Sequence, residues 1–231
     1  MLRKITVVIF GSCIFLSAVI AYADQQLEKI VVKRSRAHIS YEGASLSPEV
    51  ITADAIAAEH METLTDVLNY VAGMDVRSRG PSGSQADISL RGSTYEQVSV
   101  TLDGVRINDP QTGHYNLDIP LTLYDVDRIE VTKEGLSTRY GAGALAGSIN
   151  IITKKITRKK VQLQARVGQY ALNSQSVSAS YPDEGWQGRV SYDHTAAHAA
   201  RPNTDFEHKT ATAYFSKNLA EGVLDGMFGY Q

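Results

Sequence analysis

One stretch near the middle of the chain restricts the possible folds more than any other. Residues 128–155 read RIEVTKEGLSTRYGAGALAGSINIITKK. An alternating apolar and polar segment is followed by glycines and small residues and then by an apolar run at 148–153, which predicts a strand, a tight irregular turn and a second strand. Gly141, Gly143 and Gly147 fall where the chain must turn sharply or let another backbone approach closely. Their spacing differs from that of a dinucleotide-binding loop, and a strand follows instead of a helix, so a structural turn is favoured over phosphate binding.

The same stretch resembles the end of the plug domain of TonB-dependent outer-membrane receptors, whose pattern is approximately RIEVLRGPxSxLYGxxAxGGxINIITK. The chain departs from this pattern at Glu134 and Gly135, where Gly and Pro are usual, and at Ala146, where a second glycine is common. The residues that match are Arg128, Ile129, Glu130, Val131, Ser137, Tyr140, Gly141, Ala144, Gly147, Ile149, Asn150, Ile151, Ile152, Thr153 and Lys154. Residues 88–109, ISLRGSTYEQVSVTLDGVRIND, resemble a second plug segment, IRGxxxxxVxVLIDGVRVND. The resemblance extends over about residues 27–155.

The first 23 residues have the organisation of a secretory signal peptide. A short basic start, an uncharged apolar run and a small-residue cleavage site at residues 21–23 follow one another. An uncleaved membrane anchor is the alternative. The single cysteine, Cys13, lies inside the apolar run, so the mature chain is expected to contain no disulfide and no cysteine ligand. The formal net charge of −2 gives no indication of nucleic acid as a partner.

Residues 24–47 are polar and lack helical periodicity, which predicts a flexible leader. One short β-prone island interrupts it. By the resemblance, this island is the TonB box, and TonB, the periplasmic energy-coupling protein, is the expected partner. Strand addition to an exposed sheet edge is the expected binding mode. An ordinary unstructured leader is the alternative. The box residues are Glu28, Lys29, Ile30, Val31 and Val32.

Residues 48–155 are predicted to form the plug domain, with short strands and two helices at about 53–60 and 63–72. The loop at 109–120 is rich in turn formers and carries polar and aromatic groups, which favours ligand contact. A metal site of Asp109, His114 and Asp118 would lack a known spacing, and no nucleophile motif is present, so we predict no metal, cofactor or catalytic residue. The predicted ligand-facing residues are Gln111, His114, Tyr115 and Asn116.

Four charged residues of the plug region are predicted to form charge pairs, either inside the plug or against the surrounding wall. They are Arg91, Arg128, Glu130 and Arg139. A buried charge without a partner is costly, so removal of one member is expected to loosen the plug.

After residue 155 the pattern changes to repeated alternation of apolar and polar residues, at about 160–168, 173–181, 187–194, 209–216 and 223–230. Such segments, separated by turns, are typical of the strands of a transmembrane barrel. A soluble antiparallel sheet is the alternative. Five strands do not close around a plug, since a plugged barrel has about 22, so residues 156–231 are expected to be the first strands of a truncated barrel. Residues of a possible aromatic girdle are Tyr181, Trp186, Tyr192, Tyr214 and Phe215.

Together these observations predict an α+β plug domain followed by the first antiparallel strands of an incomplete transmembrane β-barrel. The resemblance implies the front part of a receptor in the cell outer membrane that imports a ferric siderophore, cobalamin or a similar chelate without covalent chemistry. Its expected partners are TonB, outer-membrane lipid and the extracellular chelate. The alternative is a plug-only periplasmic module that binds TonB without transport. A periplasmic hydrolase or metalloenzyme is a more distant alternative.

Overall fold

The structure is a computed structural model that describes residues 48–80, 84–137, 141–198 and 204–231. The predicted signal peptide, the predicted TonB box at residues 28–32 and Arg139 lie outside these ranges. None of the helices within them is long and apolar enough to cross a membrane.

The described residues form two five-stranded sheets, one two-stranded hairpin and a few short helices. The strands and α-helices are β1 Glu49–Thr52, α1 Ala53–Ala58, α2 Leu64–Asn69, β2 Met74–Ser78, β3 Ala86–Leu90, β4 Val98–Leu102, β5 Val105–Arg106, β6 Val126–Thr132, β7 Gly147–Thr153, β8 Lys160–Val167, β9 Asn173–Pro182, β10 Trp186–Ala197, β11 Phe206–Leu219 and β12 Gly222–Tyr230. Single 3₁₀ turns precede β4, β6 and β7.

The first sheet, called the plug sheet here, has the order β1-β6-β7-β4-β5. β4 and β7 run parallel, and the other neighbours are antiparallel. All five residues of β4 are buried, and the inward positions of β6 and β7 are apolar, so these strands form the core of the domain. The strand–turn–strand prediction for residues 128–155 is confirmed in its two strands, β6 and β7.

Side-chain caps fix where the two short helices begin. Thr52 caps α1 by accepting a hydrogen bond from the Ala55 N–H at 3.3 Å. Thr63 and Asp66 form a reciprocal capping box at the start of α2. Because α2 buries Val67 and Leu68 completely, its apolar face docks into the core, as the three- and four-residue spacing predicted.

Gly147 opens β7 at a place where no side chain fits. A Cβ added there would collide with the carbonyl oxygen of Thr132 and with the Leu90 side chain, and φ is +155°. The close approach predicted for this glycine is therefore confirmed, and it allows β6, β7 and the β3 side chains to pack without a gap.

The second sheet, called the meander sheet here, consists of β8 to β12 in sequential antiparallel order. Its strands confirm the five predicted alternating segments. The inner face of the sheet lies against the plug domain and buries polar residues. They are Ser174, Arg189, Ser191, Thr210, Thr212 and Ser216.

The outer face of the meander sheet carries the apolar residues and leaves them exposed. Leu163 is 78% and Val167 85% exposed. Other exposed residues of this face are Val161, Val177, Tyr181, Trp186, Val190, Tyr192, Phe215, Leu224, Phe228 and Tyr230. Tyr214 was predicted with the outward aromatic group, but it lies directly opposite Arg189 in the register and therefore belongs to the inner face.

Candidate functional site

The predicted ligand loop is built around Asp109. Its Oδ1 accepts a hydrogen bond from the Gln111 N–H at 3.0 Å, and its Oδ2 accepts from the N–H and hydroxyl of Thr112 at 3.0 and 2.7 Å and from the Gly113 N–H at 3.1 Å. The Thr112 hydroxyl, followed by the backbone donors, lowers the pKa of Asp109. A short loop held by one carboxylate presents its remaining side chains in a fixed arrangement.

His114 does not point freely from this loop. Its Nδ1 lies 2.7 Å from Asp87 Oδ1, and its ring packs on Tyr95 with centroids 4.2 Å apart. Arg79 Nη2 donates to the other oxygen of Asp87 at 2.6 Å. Burial alone would raise the pKa of Asp87, but the hydrogen bonds from His114 and Arg79 outweigh it and the pKa is lowered. His114 thus ties the loop to the start of β3.

Of the four predicted ligand-facing residues, Gln111 and Tyr115 are exposed, and Tyr115 is 52% exposed. Asn116 is only 2% exposed, and its Oδ1 accepts a hydrogen bond from the Asp109 N–H at 2.9 Å. This burial corrects the prediction for Asn116, which closes the base of the loop instead of facing a ligand. Among the residues that the structure describes, no group of three or more His, Cys, Asp and Glu side chains is arranged to hold a metal ion.

The predicted charge-pair residues lie at two places in the plug domain. Arg128 contacts Glu130 and Asp127 at 2.8 Å each, along β6. Arg91 donates from Nη1 to the carbonyl oxygen of Lys133 at 2.9 Å, which is a backbone partner. The effect of these residues on the plug stays a prediction.

The most buried ion pair in the described residues was missed by the sequence reasoning. Arg189 Nε on β10 lies 2.9 Å from Asp125 Oδ1, and the two side chains are 6% and 2% exposed. Ser191 Oγ donates to the same carboxylate oxygen at 2.9 Å. The Arg189 Nε geometry is not that of a hydrogen bond, so the attraction there is mainly coulombic. This pair joins the residue just before β6 to the inner face of the meander sheet.

The chain segment that follows β7 is held by the same two residues, Asp125 and Arg189. Arg189 Nη1 donates to the carbonyl oxygen of Lys154 at 2.9 Å, and the Lys154 N–H donates to the carbonyl oxygen of Asp125 at 2.8 Å. Lys154 Nζ donates to the Tyr124 carbonyl oxygen at 2.8 Å, and burial, followed by the charge of Lys160, lowers the pKa of Lys154. We call this arrangement of Asp125, Lys154 and Arg189 the interface cluster. No sequence pattern pairs residues so far apart along the chain.

A cavity of about 540 Å³ separates the helices of the plug domain from the inner face. Its lining is mixed, with apolar and polar plug residues on one side and mainly polar strand residues on the other. Arg166 of β8 pairs with Glu62 across one side of it, and Thr212 Oγ1 donates to the Pro120 carbonyl oxygen at 2.9 Å nearby. Burial raises the pKa of Asp118, which also lines the cavity.

Comparisons with known proteins agree with this architecture. Residues 42–148 match the family model of the TonB-dependent receptor plug domain. The vitamin B12 transporters BtuB of Vibrio cholerae and Vibrio vulnificus are each 34% identical, over 131 and 129 residues, which is 56% of this chain. The chain spans about a fifth of these relatives, 21% in both cases.

Solved structures share the fold at lower identity. Pseudomonas aeruginosa FpvA bound to heterologous pyoverdines has a TM-score of 0.67 at 20% identity, covering 81% of this chain and 25% of that one. The ferric yersiniabactin uptake receptor FyuA from Yersinia pestis has a TM-score of 0.59 at 20% identity, covering 77% and 29%. The family match thus identifies residues 42–148 as a TonB-dependent receptor plug domain, and the plug sheet and the crowded turn at Gly147 lie within this segment.

Proposed function

We propose that the chain forms the plug and the first wall strands of a cell outer-membrane receptor that imports a scarce, large nutrient. A ferric siderophore, cobalamin or a similar chelate is the cargo class, and TonB supplies the energy. The relatives named as vitamin B12 transporters and as siderophore receptors support this class. No covalent step and no cofactor of the protein is part of the proposal.

The observation that carries the proposal is the orientation of the meander sheet. Its polar face is covered by the plug domain, and its apolar face, with Leu163 and Val167 mostly exposed, points away from the protein. In water this arrangement exposes surface that the hydrophobic effect would bury, whereas lipid is a suitable neighbour for it. The outer face is therefore proposed to contact outer-membrane lipid.

The same observation disfavours the plug-only periplasmic module. In a freely soluble module these strands would leave apolar surface in water, since Val161, Val190 and Phe228 are 70%, 60% and 72% exposed. The interface cluster is also built between the plug domain and β10, so the plug domain and the wall strands form one interlocked structure.

Two sites within the proposal have separate tasks. The segment at residues 28–32 is proposed to bind TonB by strand addition, and the exposed loop residues Gln111 and Tyr115 are proposed to contact the chelate. Because Asp109 and His114 hold this loop to the plug scaffold, contact with a ligand at Tyr115 would be transmitted to β3 through Asp87. This gives the loop a physical connection to the plug core.

Binding to the isolated carboxy-terminal domain of TonB tests the partner assignment. In a pull-down with the whole chain, Val31→Pro should abolish capture, because proline removes one backbone donor from the added strand. Ser35→Pro is the matched control, since it places the same residue in the leader outside the box and should leave capture intact. Equal capture of both variants would refute the box, and no capture of the unmodified chain would refute TonB as the partner.

A further inference from the structure

A group of aromatic and basic side chains lies at one end of the outer face of the meander sheet. The rings of Tyr181 and Trp186 stack with centroids 5.5 Å apart and an interplanar angle of 22°. Lys159 Nζ lies 4.3 Å from the centroid of the Tyr181 ring. Lys217 stands directly opposite Trp186 in the β10–β11 register and therefore shares its face. We call these four residues the basic aromatic cluster.

The cluster is open to its surroundings and is rich in positive charge. Tyr181 and Trp186 are 43% and 41% exposed, and both lysines are exposed as well. Arg158 and Lys160 flank Lys159 in the chain. The adjoining turn brings two carboxylates, Asp183 and Glu184, against the three cations Arg158, Lys159 and Lys217; Lys160 belongs to the inner face. A cation held over an aromatic ring keeps its charge available at the surface.

The opposite end of the same face is different. There the ammonium group of Lys209 lies 2.6 Å from Glu207, and His194 Nε2 lies 3.0 Å from the same carboxylate. At this end the basic groups of Lys209 and His194 are paired with the Glu207 carboxylate within the sheet. An attraction for anions is thus confined to the end that carries the basic aromatic cluster.

The lengths of the connections between strands indicate which side of a membrane this end would occupy. At the cluster end, β9 and β10 are joined by residues 183–185 and β11 and β12 by residues 220–221. At the other end the connections are residues 168–172 and 198–205. Outer-membrane barrels have short turns on the periplasmic side and longer loops outside. The cluster end is therefore the periplasmic end.

From these observations we propose that the basic aromatic cluster binds the phosphate of an anionic glycerophospholipid in the periplasmic leaflet of the outer membrane. The rings of Tyr181 and Trp186 lie at the level of the headgroups, as aromatic residues do at membrane interfaces. Lys159 and Lys217 lay their apolar stems along the sheet and direct their ammonium groups to the phosphate. The proposal rests on the proposed function, because it requires the outer face to contact lipid.

Trp186 is the single tryptophan of the chain, so its fluorescence reports on this cluster alone. The whole chain is reconstituted in phosphatidylcholine vesicles that contain either brominated phosphatidylglycerol or brominated phosphatidylcholine at equal mole fraction. Bromine quenches tryptophan only on contact. We expect the brominated phosphatidylglycerol to be preferred at Trp186, by about fivefold for each lysine that contributes.

Charge-removing variants separate the cluster from the sheet as a whole. Lys159→Gln and Lys217→Gln should each lower the preference about fivefold. Lys209→Gln, on the same face at the opposite end, is the matched control and should leave it unchanged. The Trp186 emission maximum and the circular dichroism of each variant show whether the sheet is still formed.

The possible results distinguish this proposal from the one on which it rests. If no brominated lipid quenches Trp186, this end of the outer face does not contact lipid, which refutes the headgroup site and contradicts the proposed lipid contact at that end. If both brominated lipids quench equally, lipid contact stands but the headgroup site is refuted. A preference that survives Lys159→Gln together with Lys217→Gln would also refute it. Displacement of phosphatidylglycerol by lipid A phosphate would overturn the assignment to a glycerophospholipid.

Discussion

The plug sheet and the meander sheet use the same alternation of apolar and polar residues with opposite results. In β6 of the plug sheet, Ile129 and Val131 are completely buried, whereas in β8 of the meander sheet Val161 and Leu163 are 70% and 78% exposed. The polar residues Glu130 and Thr132 of β6 are only partly buried, whereas Arg189 and Ser191 of β10 are buried. Alternation therefore establishes that a strand has two different faces, but what covers each face decides which one is the interior.

The largest expected effect comes from the interface cluster. Arg189→Met leaves the Asp125 carboxylate buried without its cation and should lower the free energy of unfolding by about 3–5 kcal/mol. Arg77→Met removes an arginine from an exposed ion pair with Asp75 and should cost at most about 1 kcal/mol. Denaturant unfolding of the whole chain in detergent measures both variants. Equal losses would show that the inner face is not a true interior.

The second expected effect contrasts two leucines. Leu90→Ala removes a completely buried side chain from the plug core and should cost about 2–5 kcal/mol. Leu163→Ala makes the same chemical change on the outer face, where the side chain is 78% exposed, and should alter the free energy of unfolding by at most about 0.5 kcal/mol. The same unfolding measurement applies. A large loss for Leu163→Ala in detergent would mean that protein, not its surroundings, covers the outer face.

Two glycines give the third comparison. Gly147→Ala places a methyl group against the Thr132 carbonyl oxygen at a positive φ, which should cost about 1–3 kcal/mol. Gly226→Ala, in β12, adds a methyl group that meets no atom within 4 Å and should be neutral or slightly stabilising. Thermal unfolding of the two variants side by side tests this difference. A stable Gly147→Ala variant would contradict the close approach of β6 and β7.

The smallest expected effect is a dependence on pH in the plug domain. Because the folded-state pKa of Asp87 is lowered, its contribution to stability is complete above the pKa of the unfolded carboxyl and is lost as the pH falls through the folded pKa. The Asp87→Asn variant should therefore lose less stability on acidification than the unmodified protein does. Unfolding curves collected between neutral and acidic pH measure it. An identical acid dependence of both proteins would refute the role given to the Asp87–His114 contact.

Much of the fold was predictable because it depends on local pattern. The alternating segments, the amphipathic α2 and the crowded glycine turn all depend on residues close together in the chain, and each appears in the structure near its predicted position. Tyr214 was grouped with the outward aromatic residues, although Tyr214 and Phe215 are neighbours in one strand and therefore point to opposite faces.

The candidate site was less predictable because its contacts are long-range. The composition of the 109–120 loop indicated exposure, but burial of Asn116 follows from its hydrogen bond to the Asp109 backbone, which composition does not reveal. The pair of Asp125 and Arg189 joins the turn before β6 to the meander sheet, and a single sequence gives no signal that links them. The sequence signal for Arg189 is its place among the polar residues that alternate with apolar ones along its strand.

The central claim is that the outer face of the meander sheet contacts lipid and the inner face does not. A nitroxide scan of residues 161–167, one cysteine at a time in the Cys13→Ser background and in vesicles, tests it directly. Oxygen, which concentrates in the bilayer, should relax the labels at the odd-numbered positions, and a water-soluble nickel chelate should relax those at the even-numbered positions more. Loss of this two-residue alternation, or access of the nickel chelate to position 163, would contradict the claim.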